Sequence, residues 1–294
     1  AASSAAPGSG TPSLTTALSN IGAQAAYGAW LSLFTDATSC GAIATHFVAQ
    51  SDGYRQKDQV LFLGSADALA TAGAIPTASS PRLTAAPDFC LSWQPGAAQQ
   101  AAEIAARTAA TYLAGSNYIA QNFDGYMLVS KSSMVPLLVP HTAVRPGDDD
   151  KNSALMSYYM TPVVVDDGEN PIILRAVTTS NNANVDLHEL PVRKQLAYGR
   201  IVLRQRLTTL FRGKNFKKNS EIKTPNCFNE QSVRTAIFEL LSQLDNQDLF
   251  DGAVAVKDSI LVEQNATVPT RLDVFVPWNV MRAIHQIAAT ISPN

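Results

Sequence analysis

The sequence has little cysteine and no long apolar run, and both absences limit what the chain can be. Its three cysteines, Cys40, Cys90 and Cys227, are odd in number and far apart along 294 residues. A disulfide framework is therefore not expected, and a reducing assembly environment fits better. No CxxC or CxxxH spacing occurs, which argues against a zinc site. No apolar stretch approaches the ~20 residues that cross a bilayer, and we expect no signal peptide.

Neither sign of charge is in large excess over the chain as a whole. Charged residues make up 16% of the sequence and leave a net charge of −2, so a whole-chain basic signature for nucleic acid is missing. Hydrophobic residues make up 46%, which is enough to build cores and rules out an intrinsically disordered chain. At about 150 residues per domain, the length predicts two domains.

The familiar catalytic motifs are missing too. The sequence contains no GxSxG, GxxxxGK[ST], GxGxxG or HExxH pattern. Of the four histidines, His46 and His285 fall in predicted helices, where a structural role is favoured, and the other two are His141 and His188. A serine, histidine and aspartate far apart in sequence can still meet in space. An α/β hydrolase-like enzyme therefore stays open as an alternative.

Two polar features have a functional and a plainer interpretation. Asp148, Asp149 and Asp150 offer oxygen ligands for a hard cation, but a solvated loop is the favoured interpretation. Asn265, with Thr267 two residues on, matches a glycosylation sequon, which is common by chance. We therefore predict no metal site and no cofactor.

Strands and helices alternate in the first part of the chain. Residues 1–12 are linker-like, being almost all Ala, Ser, Gly and Pro. Residues 13–180 are predicted to form an α/β domain, a parallel sheet with flanking helices. Its predicted helices are Ser13–Ala25, with Ser13 as N-cap, Ala37–Gln50 and Gly96–Leu113. Its predicted strands are Tyr27–Phe34, Gln59–Leu63 and Asp88–Trp93.

The pattern changes after residue 115. Tyr158–Val165 and Ile172–Val177 are rich in β-formers and flank a turn-rich connection, so they predict a hairpin. The stretch His141–Asn152, which holds the three aspartates, is predicted to be a polar loop.

Residues 181–294 are predicted to form a smaller α+β domain. A long helix fits Pro191–Phe211, and Asn229 is the expected N-cap of another that ends near Leu244. Ser259–Val262 and Leu272–Val276 are predicted to be paired strands, and Pro277 is expected to open a closing helix.

Charge is unevenly distributed between these regions. Residues 1–185 hold 8 basic and 13 acidic side chains, whereas residues 186–294 hold 14 basic and 11 acidic ones. Residues 193–218, here called the basic segment, contain nine basic residues and no acidic one. At ~100° per residue, Arg193, Arg200 and Arg204 fall on one narrow stripe of the predicted helix.

The basic segment has three interpretations. A solvated helix face is the plainest, and docking to an acidic protein surface is the second. Nucleic acid is the third, although stacking aromatics are few there, namely Tyr198, Phe211 and Phe216.

Several short stretches, taken in order, resemble one family. They are Ile173–Thr179, Leu196–Arg200 leading into the basic helix, Ser232–Ile237, Leu249–Asp251, Ser259–Val262 and Arg271–Pro277. The chain thereby resembles the tail sheath proteins of contractile-tailed bacteriophages, most closely the Mu-like group. Before residue 170 the resemblance is looser, through Phe34–Asp36 and the α/β pattern that follows.

The resemblance implies a structural role. Sheath subunits form stacked six-membered rings around a tail tube, and contraction by subunit rearrangement drives the tube through the host envelope. It also implies a subtilisin-like topology without a working triad, and a C-terminal domain that faces the tube. The implied partners are other copies of the chain, the tube protein, and the baseplate and tail terminator proteins, with neither membrane nor direct nucleic acid. The implied location is the virion, after assembly in the bacterial cytoplasm.

One departure and one open choice remain. Full sheath proteins carry N-terminal segments that include an arm adding a strand to a neighbour's sheet, and we expect this chain to lack that arm or to have diverged there. A sheath of a bacteriocin or other contractile injection particle is an alternative to a phage sheath. The residues expected to face the tube or an adjacent subunit are Arg193, Arg200, Arg204, Lys214, Lys217 and Lys218.

Overall fold

The chain divides into two compact units in its computed structural model. Among the residues that the structure describes, the first unit extends to Leu190 and the second begins at Pro191. The described residues are 14–22, 28–32, 35–51, 58–78, 89–93, 106, 108–109, 126–127, 147–165, 171–179, 188–218, 221–222 and 224–280. Outside them lie the predicted linker at 1–12, Ser13, most of the predicted helix Gly96–Leu113, His141 and His285.

A six-stranded sheet with flanking helices organises the first unit, which confirms the predicted α/β class. The strand order is β1-β2-β3-β5-β6-β4. The strands are β1 (Gly28–Leu31), β2 (Gln59–Ser65), β3 (Phe89–Trp93), β4 (Tyr126–Met127), β5 (Thr161–Val165) and β6 (Pro171–Ile173).

The sheet is mixed, so the prediction of a parallel sheet is wrong at one end. Strands β1, β2, β3 and β5 run parallel, whereas β5–β6 and β6–β4 are antiparallel. Only five residues separate Val165 from Pro171. A connection that short permits a hairpin, whereas a parallel return needs a crossover of a dozen or more residues. The predicted hairpin is thus present, as an extension of the same sheet.

The central strands are buried on both faces. Leu61 and Leu63 of β2 belong to one apolar cluster, with Phe47 and Trp93, while Phe62 belongs to another on the opposite face. Successive strand residues point to opposite sides of a sheet, so the two clusters mark its two covered faces. This explains why β2 and β3 are buried along almost their whole length, and why Val60–Leu63 is apolar at every position instead of alternating.

The described part of the first unit contains three helices before residue 80, and local sequence features explain the start of one and the packing of another. They are α1 (Thr15–Gly22), α2 (Ala37–Gln50) and α3 (Leu69–Ala78). Asp36 caps α2, since its Oδ1 accepts a hydrogen bond from the Ser39 amide at 2.9 Å, and this bond lowers the pKa of Asp36. In α3, a Cβ on Gly73 would lie 2.3 Å from Cδ1 of Tyr158. Only glycine allows this close approach.

The three aspartates do not lie in a loop, which corrects the prediction for His141–Asn152. They form the first turn of α4 (Asp148–Met156), and Lys151 contacts Asp148 at 2.9 Å. Carboxylates are favourable in the first turn because the helix dipole is positive there. A run of acidic residues therefore starts this helix, and their exposure leaves them solvated.

The second unit combines helices with two small sheets. Its helices are α5 (Leu190–Phe211), whose first residue belongs to the first unit, α6 (Glu230–Asp245) and α7 (Ala253–Val256), followed by a 3₁₀ turn at Lys257–Ser259. Its strands are β7 (Asn215–Phe216), parallel to β8 (Cys227–Phe228), and β9 (Leu261–Gln264), antiparallel to β10 (Leu272–Phe275).

A single apolar cluster holds the second unit together. It centres on buried residues of α6 such as Ile237 and Leu241, and the apolar side of α5 packs on it through Leu203 and Leu207. Asn229 caps α6 as predicted, with its side chain accepting from the Ser232 amide at 2.9 Å.

Two boundary predictions in this unit are wrong. Ser259 lies in the 3₁₀ turn, so β9 begins two residues later, at Leu261. Pro277–Val280 is not helical, and the rest of the predicted closing helix lies outside the described residues.

Candidate interaction surface

The stripe of arginines lies along α5. By the 100° rotation per residue, Arg193, Arg200 and Arg204 fall within about 40° of one another around the helix axis. Arg193 and Arg200 are half-buried and Arg204 is exposed. The helix places these three predicted residues on one line.

Lys194, next to the stripe, is not part of an exposed surface. Only 4% of this residue is accessible, and burial lowers the pKa of its ammonium group to about 8. Removing a cation from water disfavours its charged form. The sequence pattern does not distinguish Lys194 from the other eight basic residues. Its burial could not be predicted because burial depends on tertiary packing.

The remaining predicted residues follow the end of α5. Gly213, at φ +78°, ends the helix in the left-handed conformation that glycine adopts readily. Lys214, Lys217 and Lys218 come directly after it and are all exposed. The Lys214 Nζ lies 6.0 Å from the centre of the Phe211 ring.

The β7–β8 pairing holds these lysines in place. The Lys217 amide donates to the Phe228 carbonyl at 2.8 Å, and its Nζ donates to the Glu221 carbonyl at 3.3 Å. Seven of the nine basic residues thus fall into two groups, a helix stripe of three and a loop of four, and the other two are Lys194 and Arg206. The loop group, with Arg212, is the more exposed of the two.

A shallow groove of about 480 Å³ lies beside the end of α5. Its floor is apolar, and its rim carries Lys214 and Glu239. Glu239 also accepts from Arg206 at 3.3 Å. Its lining residues are Leu210, Phe211, Lys214, Ile222, Asn229, Gln231, Ser232, Thr235, Ala236 and Glu239. The groove therefore offers packing surface and mixed charge.

The two described histidines lie beside aromatic rings, and Cys90 is buried. The ring of His46 lies 5.5 Å from that of Trp30, and the ring of His188 lies 5.2 Å from that of Tyr159. Cys90 is buried in β3, and its Sγ lies 3.3 Å from Oγ1 of Thr161. Burial raises the pKa of Cys90 to about 11, so it is a thiol at neutral pH and a poor nucleophile.

Within the described ranges, no three His, Cys, Asp or Glu side chains are grouped as metal ligands would be. In the same part of the chain, no helix combines the length and apolar character of a membrane span.

Comparison with solved structures finds chains of similar fold. The sheath tail protein of Desulfitobacterium hafniense is 11% identical and matches with a TM-score of 0.53, over 84% of this chain and 52% of that chain. A chain of the anti-feeding prophage baseplate is 15% identical and matches with a TM-score of 0.51, over 88% of this chain and 66% of that one. A chain of the sheath complex of an extracellular contractile injection system, in its contracted state, is 14% identical with a TM-score of 0.47, over 86% and 68%.

The first two similarities show a shared fold and confirm the predicted resemblance to tail sheath proteins at that level. The Mu-like assignment stays a prediction. No protein-family model matches the sequence, and no curated protein matches it. The chain spans about half to two thirds of the length of the structures it matches.

Proposed function

We propose that this chain is a structural, non-catalytic subunit of a contractile tail sheath. In this role it assembles with other copies as stacked six-membered rings around a tail tube, and contraction by subunit rearrangement drives the tube through the host envelope. The observation that carries the proposal is the fold shared with the Desulfitobacterium hafniense sheath tail protein over 84% of the chain. The baseplate and tail terminator proteins are the other partners in this proposal, and the virion tail is its location.

The likeness to an anti-feeding prophage chain bears on the kind of particle. It makes a contractile injection particle the second candidate, beside a phage tail. Both use the same subunit role, so the same experiments apply to either.

The domain at 181–294 is proposed to face the tube. The stripe of Arg193, Arg200 and Arg204 lies in this domain, and a tube with an acidic outer surface would complement it. An exposed ion pair contributes only about 0.2–1 kcal/mol, but rings repeat each contact many times. Weak contacts suit a sheath that has to release its tube during contraction.

The small sheet of β9 and β10 is proposed as the acceptor of a neighbour's arm. In the part of the chain that the structure describes, each of these strands pairs only with the other. Each therefore has an outer edge with backbone groups available to another strand. Strand addition by an arm outside this sequence, or by a diverged one within it, would link subunits through main-chain hydrogen bonds.

During contraction each unit is proposed to keep its internal structure. The two-faced core of the first unit is close-packed, and such cores resist gradual deformation. Coordinates of extended and contracted particles test this point. Large internal refolding of residues 25–175 would contradict it.

Electron microscopy of the intact natural protein, mixed with its tube protein, tests the sheath role. We expect hollow striated tubes with six-fold symmetry. A protein that stays monomeric with its tube, or that turns over a substrate in a Ser-His-Asp cleft, would contradict the proposal.

Charge reversal tests the tube-facing stripe. We expect the double substitution Arg200→Glu and Arg204→Glu to prevent sheath assembly on tubes, because it replaces attraction by repulsion at every repeat. The matched control is Gln205→Glu with Thr209→Glu, which adds negative charge at exposed α5 positions outside the stripe. Unchanged assembly in the arginine variant would remove the stripe from the proposal.

A further inference from the structure

The β9–β10 sheet has an inner and an outer face of different character. Val262 and Val274 are opposite each other in register and join the apolar core of the unit. The outer face carries the two alternate pairs, Leu261 opposite Phe275 and Glu263 opposite Asp273. Residues two apart on a strand share a face, so an apolar pair and an acidic pair lie side by side.

The apolar pair is unusually open to solvent. Phe275 is 61% exposed and Leu261 is 48% exposed, although both belong to regular strands. Cross-strand apolar pairs stabilise a sheet by excluding water from one another, and here water reaches both members. The pair therefore offers ready surface to a partner.

The acidic pair favours binding of a positively charged group. Like charges directly opposite each other destabilise a sheet. Asp273 is compensated within the hairpin, since Arg271 Nε and Asn265 Nδ2 each donate to it at 2.6 Å, and these bonds lower its pKa. Glu263 has no ion-pair partner among the described residues, and it is exposed.

The same unit also contains the oppositely charged loop of Arg212, Lys214, Lys217 and Lys218, all exposed. The sequence that leads into β9 adds no counter-charge to Glu263, since residues 239–263 contain six acidic side chains and one basic side chain. One chain thus carries an acidic strand pair and an exposed basic loop.

We infer that the outer face of β9–β10 docks a second copy of this chain, by receiving that copy's basic loop at residues 212–218. The lysines of the loop lie against Glu263, and the aliphatic stems of those lysines cover Leu261 and Phe275. This divides the basic residues by role, with the loop directed to a neighbouring subunit and the α5 stripe left for the tube.

The symmetry of this contact suits an extended assembly. The face on one copy meets a different surface on the next, so the contact is heterologous, and it leaves one free surface at each end. Such contacts build closed rings or helical filaments. Four side chains give far less area than the roughly 800 Å² per partner of a stable complex, so the contact is weak in solution and gains strength by repetition. Its biological setting rests on the proposed sheath function.

Cross-linking between two singly labelled proteins tests the contact directly. Both carry Cys227→Ser, since the other two cysteines are fully buried. One adds Leu261→Cys and the other adds Asn215→Cys, exposed positions that leave Glu263 and the basic residues of the loop in place, and a short bis-maleimide joins the two thiols. We expect the mixed dimer to form at least five-fold faster than with the control Gln243→Cys, an exposed uncharged position on α6. Equal rates would overturn the inference, as would preferential capture of the tube protein by Asn215→Cys.

A charge exchange separates this inference from the sheath proposal. We expect Glu263→Lys to shorten assembled sheaths at least five-fold, and mixing with Lys217→Glu/Lys218→Glu subunits to restore them. If wild-type protein forms sheaths and Glu263→Lys forms equal ones, the docking inference fails and the sheath role stands. If cross-linking succeeds but wild-type protein never surrounds a tube, the sheath role fails and the contact stands.

Discussion

The two units differ most in how their sheets are covered. In the first unit, β2 and β3 are buried on both faces, and Phe62 and Phe89 are 0% exposed. In the second unit, the β9–β10 sheet covers the core with one face and leaves Phe275 on the other, 61% exposed. Both faces of the central strands of the first sheet are therefore covered within the chain. The second sheet has one face and two edges that a partner can contact.

Charge follows the same division. The first 185 residues are net acidic, and the region from residue 186 is net basic and contains the basic segment. In the proposed sheath role, a subunit needs both a stable body and a surface for contacts, and a sheet buried on both faces has no face left for a partner. With the two needs divided between units, contacts in that role would form and break without disturbing the larger core.

The largest expected effect on stability comes from comparing the same change, phenylalanine to alanine, in each of the two sheets. We expect Phe62→Ala to lower the free energy of unfolding of the first unit by about 3–5 kcal/mol, because it leaves a cavity between packed layers. We expect Phe275→Ala to change stability by less than about 0.5 kcal/mol, since it removes a side chain already in water.

Urea denaturation followed by tryptophan fluorescence measures the first effect. In a Trp278→Phe background the remaining tryptophans are Trp30 and Trp93, so the emission reports on the first unit. Circular dichroism follows the Phe275 variant. Similar losses for both phenylalanines would contradict the contrast between a covered and an uncovered sheet.

A smaller effect is expected from two glycines of the first unit. We expect Gly73→Ala to destabilise it by about 1–3 kcal/mol, because the new Cβ would overlap the ring of Tyr158 and force it to move. Gly41, in α2, has nothing within 4 Å of the position that an added Cβ would occupy. We expect Gly41→Ala to stabilise the unit by about 0.5–1 kcal/mol through helix propensity alone.

Thermal unfolding of the two alanine variants checks the opposite signs. Stabilisation by Gly73→Ala would show that α3 does not approach Tyr158 as closely as the structure has it.

Local signals explain which parts of the fold were predictable. Helix α2 follows a capping residue, Asp36, and ends at Gln50 as predicted. Asn229 indicated the start of α6 in the same way. Helix α3 was not predicted because its sequence, LATAGAIPTA, contains glycine and proline and lacks a polar face. Its position depends on Tyr158, which is distant in sequence.

The candidate surface was predictable only in part. The arginine stripe follows from helical rotation, which the sequence determines once the helix is assigned. The exposed pair of Leu261 and Phe275 needs the strand register, and β9 begins two residues later than its predicted start at Ser259. The burial of Lys194 depends on contacts made after folding, so no local pattern distinguishes it from Arg193.

The last expected effect is a pH dependence, which sharpens the distinction between the buried and the exposed residues of the basic segment. Burial lowers the pKa of Lys194 to about 8 in the folded chain, against its ordinary value of 10.5. Between these values the unfolded chain binds more protons than the folded one, so this group makes stability rise with pH. We expect Lys194→Met to be about 1–2 kcal/mol more stable than wild type at pH 7, and this advantage to disappear by about pH 10.5. The exposed Lys218→Met is the control and should follow wild type throughout in urea titrations from pH 7 to 10.5. A constant difference between Lys194→Met and wild type over that range would mean that the ammonium group is not buried, and Lys194 would then join the exposed residues of the basic segment.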